Sequence, residues 1–260
     1  MSVNLFNKRT AIFMAAVCSQ TYHQFDNDDG TFIVPRNYHV SATFKAASFL
    51  GVEELFGFIL ESNDRIILAF RGTNTSSDWI SDAIARQNAY PYVQDGGWVH
   101  RGFLDIYRTA RKKILTSLSK LSAQKQLYIT GHSLGGALAT LCAIDVALNT
   151  KFKAPIVYTY ASPRVGNPEF ASRFSNLLSN RHRVYNQHDL VPQLPTVLYK
   201  SPNTDQLYHY LHVKKGFELS FQKGSLSANH AIGNYFTELA RLDPTYTLEL
   251  NRRNPGFCPG

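Results

Sequence analysis

Residues 126–141, QLYITGHSLGGALATL, put an apolar run directly before a serine ringed by glycines and a small-residue helical pattern directly after it. The centre, Gly131-His132-Ser133-Leu134-Gly135, has the form G-x-S-x-G. LYIT has the make-up of a buried strand and ALATLCAIDVAL that of a helix, so the chain must turn sharply at Ser133. A Cβ at Gly131 or Gly135 would collide where strand and helix cross, and Gly136 lets the helix start pack closely. A packing motif has no need of this arrangement, whereas a nucleophile does. The Ser133 hydroxyl is expected to stand exposed beside a helix N-terminus, which favours developing negative charge. The bland alternative is a glycine-rich β–α turn with an ordinary N-cap serine.

The rest of the chain fits an α/β fold. Apolar β-type runs at 55–60, 65–70, 126–130, 155–160 and 183–186 alternate with helical patterns at about 9–22, 102–121, 133–149, 168–179 and 229–241. Short apolar strands separated by helices predict a mostly parallel sheet covered on both faces. A hairpin is expected between residues 207 and 221, turning near Lys215-Gly216. No repeat or linker divides the 260 residues, so one domain is expected. In such sheets chemistry gathers at the carboxyl ends of the strands.

The net charge of +8 is spread over 27 basic residues. The densest run, 108–113 (RTARKK), interrupts the helical series Phe103, Ile106, Tyr107, Ala110, Ile114 and Leu118, and so reads as the solvated face of an amphipathic helix. No nucleic-acid motif accompanies it. A basic surface favours peripheral contact with anionic lipid, and no apolar run approaches the ~20 residues of a membrane span. Lys8-Arg9 before TAIFMAAVC loosely mimics a signal peptide. However, Ala11, Met14, Ala15, Cys18 and Tyr22 keep helical spacing and no clean cleavage site follows, so a packing helix is expected. The three cysteines form no framework; Cys142 reads as a buried thiol, and a Cys18–Cys258 bridge is the one pairing considered. No metal motif is present, and no cofactor is expected.

A serine hydroxyl needs a base to take its proton. In strand–Ser–helix hydrolases the order is Ser, then acid, then His. Asp189 stands out among Glu169, Asp189 and Asp205, because HRVYNQHDLVPQLP runs a strand into a polar turn. Glu169 reads as a first-turn helix acid, and Asp205 sits in a polar loop. Of the later histidines, His230 lies where a loop enters the last helix, and His212 is the next candidate.

Six blocks in one order, LAFRGTNTSSDWISD, VHRGF, YITGHSLGGALA, ASPRVGN, RVYNQHDLVPQLP and NHAIGNYF, resemble the class 3 (fungal-type) lipase family of α/β hydrolases. The resemblance spans about residues 52–240. It implies an α/β-hydrolase fold and a serine hydrolase cleaving carboxylic esters of lipids at a lipid–water interface, triacylglycerols foremost. Phospholipase A1 and feruloyl-type esterase activities occur on the same scaffold; a catalytically dead lipid-binding protein is disfavoured because every site position is filled. By resemblance Ser133 is the nucleophile, Asp189 the triad acid and His230 the base. Leu134 and Thr73 supply the oxyanion hole, and Asp82 is placed to hold the Thr73 hydroxyl. The family also implies secretion, although this sequence carries no clear signal peptide and an intracellular place stays open. Two features depart from the pattern: Ala-Ser opens ASPRVGN where the family often has Phe-Gly, and the fungal disulfide spacing is absent.

The 26 residues at 74–99 match a lid of nearly the same length. Residues 75–78 resemble a helix-start capping box. Trp79, Ile80, Ala83 and Ile84 then share one helical face, with Asp82 away from it. That face is expected to cover the serine in water and to turn outward at a lipid surface; the bland alternative is a short packed surface helix.

Overall fold

The computed structural model describes residues 6–49, 51–73, 85–201 and 204–260. The chain opens with α1 (Lys8–Asp26), β1 (His39–Ala47), β2 (Glu53–Glu61), β3 (Arg65–Phe70), β4 (Gln87–Ala89) and β5 (Trp98–His100). α2 (Arg101–Ser119), β6 (Gln126–His132), α3 (Leu134–Asn149), β7 (Ile156–Tyr160), α4 (Pro168–Leu177) and β8 (Arg181–Asn186) follow. The last part holds β9 (Leu198–Lys200), β10 (Leu207–His209), β11 (Gly216–Leu219), α5 (Leu226–His230), α6 (Ile232–Ala240) and α7 (Pro244–Arg253).

The main sheet runs β1-β2-β3-β6-β7-β8-β11. Its five strands from β3 to β11 are parallel, and β1 and β2 add antiparallel pairs at one edge. Period-two alternation along the strands divides the apolar residues between two layers. On β3, Ile66, Leu68 and Phe70 join the layer of α2, α3 and α4, while Ile67 and Ala69 join the layer of α1, α6 and α7. The apolar series anticipated on α2 is buried in the first layer. α3 is buried almost throughout, between the sheet and α2. Asp145 on α3 is fully buried, and accepts two hydrogen bonds from Arg111 at 2.6 and 3.0 Å and one from Tyr107 Oη at 2.6 Å. Charge-assisted bonds of this kind offset the cost of burying the carboxylate.

α1 belongs to the folded body. Tyr160 Oη donates to Ala11 O at 2.6 Å, and Arg9 pairs with Asp243 at 2.8 Å. The three cysteines are free: Cys18 lies buried with Sγ 3.3 Å from Thr130 Oγ1, so the Cys18–Cys258 bridge is not formed. The expected hairpin at 207–221 is also corrected. β10 pairs backwards with β9, whereas β11 extends the main sheet parallel to β8. Apolar alternation identifies both segments as strands but does not say which neighbour each one meets. Five further elements lie outside the sequence expectations, all with weak apolar signals: β1, β4, β5, the three-residue β9, and α7. β1 is a largely exposed edge strand, the β4–β5 ribbon is short, and α7 is mostly polar.

Candidate active site

β3, β6 and β8 end at the same edge of the sheet, and the loops leaving them hold the residues singled out above. At the end of β6 the chain reverses at Ser133, whose φ of 58° and ψ of −127° put a non-glycine residue on the strained side of the backbone map. The crossing leaves no room for side chains. A Cβ at Gly131 would lie 2.1 Å from Gly135 O, and one at Gly135 would lie 2.3 Å from Phe70 O. A Cβ at Gly136 would meet Ser162 Cβ at 2.8 Å. Ser133 N–H donates to Tyr160 O at 2.9 Å, which ties the turn to β7. The glycines thus allow α3 to start immediately after the serine. The hydroxyl is not exposed as expected: Ser133 is only 1% accessible, wedged between the strand exits and the loop carrying His230.

His230 Nε2 lies 2.8 Å from Ser133 Oγ, and its Nδ1 lies 2.8 Å from Asp189 Oδ2. Asp189 is 1% exposed. Its Oδ1 accepts from Val191 N at 3.0 Å, and Oδ2 also accepts from Tyr235 Oη at 2.8 Å. The carboxylate can only accept, so imidazole Nδ1 carries the hydrogen and Nε2 is left to accept from the serine. That is the proton arrangement a general base requires. His230 ends α5, and the helix breaks at Ala231 before α6, so the single helix anticipated at 229–241 is two. The break allows the imidazole to turn towards the serine.

The other candidates lie elsewhere. His212 Nε2 donates to Pro192 O at 2.6 Å, and burial pushes its pKa down to about 3. Glu169 is a first-turn acid of α4. Asp205 pairs with Lys200 at 2.8 Å in an exposed ribbon. Leu134 is the first residue of α3, where backbone N–H groups have no partner within the helix. Thr73 follows the end of β3 and is half-buried; the preceding Gly72 passes so close that a Cβ there would lie 3.1 Å from Ser133 Cβ. Arg71 anchors this strand end, buried against Phe25 and paired with Glu54 at 2.7 Å.

Trp79, Ile80, Asp82, Ala83 and Ile84 lie outside the described residues. The second part of the expected lid is fixed to the body. Ala85, Tyr90 and Val93 are buried, β4 pairs with β5, and Tyr90 Oη donates to Leu141 O at 2.7 Å.

Several supporting residues escaped the sequence reading. His132, next to the serine, is buried with its Nε2 2.8 Å from His230 O and its Nδ1 2.7 Å from Tyr22 Oη. Because a carbonyl only accepts, Nε2 is the donor and Tyr22 donates to Nδ1. Burial, reinforced by His230, holds the His132 pKa well below the usual range, so the ring is neutral. Asn186 donates to Phe221 O and Asn229 O, and Asn229 donates to His188 O, tying the Asp189 loop to the His230 loop. A strand-end asparagine before HDLVP and one beside His230 were the available signals. Among the described residues no cluster of metal-binding side chains occurs, and no helix is long and apolar enough to cross a membrane.

The family model described as "Lipase (class 3)" matches residues 67–199, about half of the chain, and this span includes Ser133 and Asp189. The chain belongs to the class 3 lipase family. A lipase of Rhizomucor miehei is 36% identical over 141 residues, covering 52% of this chain and 39% of its own. Phospholipase A1-Igamma2, chloroplastic, of Arabidopsis thaliana is 36% identical over 161 residues, covering 50% of this chain and 30% of its own. The chain thus spans well under half the length of these curated relatives. The crystal structure of the lipase from Rhizopus microsporus var. chinensis superposes with a TM-score of 0.66 at 27% identity, covering 84% of this chain and 75% of that one. This class 3 lipase family member therefore carries the α/β-hydrolase fold of its fungal relatives. His230 lies beyond the matched segment, and its placement rests on the geometry above.

Proposed function

We propose that this chain hydrolyses carboxylic esters of lipids, triacylglycerols foremost, through an acyl-enzyme formed on Ser133. The observation that carries this is the unbroken Ser133–His230–Asp189 chain, 2.8 Å at each link, on a strained turn at the start of α3. Ser133 Oγ attacks the ester carbonyl carbon while its proton passes to His230 Nε2. The negative oxygen of the tetrahedral intermediate is met by the N–H groups of Leu134 and Thr73, with the Thr73 hydroxyl as a further donor. Collapse breaks the ester bond, and the departing alcohol takes the proton from His230. Water then repeats the steps on the acyl-enzyme, releasing the fatty acid. Asp189 stays ionised, holds the imidazole tautomer and stabilises the imidazolium. Tyr235 and Val191 N–H fix that carboxylate in place. No step requires a metal or cofactor.

We assign the segment at about 74–99 as the lid, on its match in length and position to the lid of the family; its second half, from Ala85, packs on the body. Its apolar face, Trp79, Ile80, Ala83 and Ile84, would contact acyl chains at a lipid surface, at about 25 cal/mol per Å² of apolar area removed from water. The enzyme would then act as a secreted or peripherally bound protein on emulsified lipid. Phospholipase A1 activity is the second reading, favoured by the similarity to a plant phospholipase A1 and by the net charge of +8.

Initial rates on emulsified triacylglycerol, phosphatidylcholine vesicles and a soluble aryl ester separate these. The proposal requires triacylglycerol to be cleaved faster than phosphatidylcholine. Preference for phosphatidylcholine selects the second reading, and activity on the aryl ester alone rejects lipid esters as the substrate class.

A further inference from the structure

Along the end of β8 and the loop carrying Asp189 lies a cavity of about 250 Å³. Two arginines, Arg164 and Arg183, line it together with Tyr185, His212 and Asp189. The ester-hydrolase mechanism uses neither arginine.

The charge balance of this cavity is unusual. Arg183 projects from β8 and stacks on Tyr185, its guanidinium carbon 4.5 Å from the ring centroid. Its Nε is buried without a hydrogen-bond partner among the described residues. Burial lowers the pKa of both arginines, and Arg164 lowers that of Arg183 further. The groups opposing this at Arg183 are the phenols of Tyr185 and Tyr235, not a carboxylate. Among the described residues Arg164 donates to backbone only, to Gln193 O and Pro195 O.

Nearby acids do not serve as counter-ions. Asp189 is already committed to His230, Tyr235 and Val191 N–H. Glu218 accepts from Tyr185 Oη at 2.8 Å. His212 gives its Nε2–H to Pro192 O and, with a pKa near 3, stays neutral. The cavity therefore concentrates two positive charges in a partly desolvated place without a paired anion from the described residues. Buried charges in proteins are ordinarily paired, and a guanidinium presents a planar fork suited to phosphate oxygens.

We propose that this cavity binds a phosphate group, as free phosphate or as a phospholipid headgroup, through Arg183 with Arg164 as the second cation. The site does not depend on the ester-hydrolase reading, because neither arginine touches the serine or its base. It would give the enzyme a contact with phosphate-bearing surfaces directly beside its triad.

The test is calorimetric titration of inorganic phosphate into the full chain at constant ionic strength, set with sodium chloride. Saturable binding is expected. Arg183→Gln should weaken it by at least about tenfold, the value of one charge-assisted hydrogen bond at this strength. Arg183→Lys keeps the charge without the fork and should bind with intermediate affinity, which covers the case in which Arg183→Gln does not fold. Competition by phosphatidic acid vesicles, and not by phosphatidylcholine vesicles, assigns the headgroup as the source; its absence assigns the free ion. Either result keeps the site. No saturable phosphate binding, or equal affinity in wild type and both variants, overturns the proposal.

Discussion

Ser133, His230 and Asp189 come from positions up to 97 residues apart, yet all three are nearly excluded from water. Burial strengthens the hydrogen bonds that order them. Two substitutions separate the base from its nearest rival. His230→Ala removes the only imidazole in contact with Ser133 Oγ among the described residues, and turnover is expected to fall by roughly 10⁴–10⁶-fold. His212→Ala removes a ring bonded to Pro192 O and should affect stability more than kcat. Near-normal turnover in His230→Ala with a dead His212→Ala would reverse the assignment. Thr73→Val retains the shape and the N–H while deleting the hydroxyl. If the hydroxyl is an oxyanion donor, kcat falls by roughly 10²–10³. A variant within twofold of wild type would limit Thr73 to its N–H. The residues that carry chemistry were legible because G-x-S-x-G and the order Ser-Asp-His are local or ordinal signals. Their supports were not. His132 and Tyr235 act through contacts with residues 98 and 46 positions away, which local sequence spacing cannot reveal.

At the scale of elements, what decides the site is where strands end. β3 delivers Thr73, β6 delivers Ser133 and β8 leads to Asp189, with parallel pairing keeping the three exits level. β3, β6 and β7 are readable from their apolar centres, whereas β8 (RHRVYN) is polar and is read as a strand from its place before the polar turn at His188-Asp189. β1 was missed because an edge strand exposed on most positions lacks that signature. β11 reads as half of a hairpin because Lys215-Gly216 has the make-up of a turn; instead Phe217 stacks on Phe6 at 3.9 Å while its backbone pairs with β8. The proposed lid makes a prediction at this scale. Activity on a short-chain ester should rise as it passes its solubility limit, and Trp79→Ala should lower rates on emulsion more than on dissolved ester. A smooth saturation curve through that limit, with equal losses on both forms, would leave the segment as ordinary packing.

Across the whole molecule, four histidines are held neutral by burial: His100 and His212 with pKa about 3, His182 about 4, and His132 well below the ordinary value. Unfolded, each binds a proton near pH 6.5. Their folded pKa values are depressed, so the unfolded state binds more protons in between. Stability is therefore full above pH 6.5 and falls as pH drops towards 3–4. Each fully buried ring contributes a loss of about 1.4 kcal/mol per pH unit in that window. Urea midpoints should drop clearly between pH 7 and pH 5; an unchanged midpoint would mean these rings remain solvated.

The most direct test of an acyl-enzyme at Ser133 is intact-mass and peptide mapping after exposure to diethyl p-nitrophenyl phosphate. One diethylphosphoryl group is predicted per chain, on the peptide containing Ser133, with ester hydrolysis lost in proportion. Ser133→Ala should take up no label and retain no more than the background rate. Labelling at another residue, together with undiminished hydrolysis by Ser133→Ala, would contradict the mechanism.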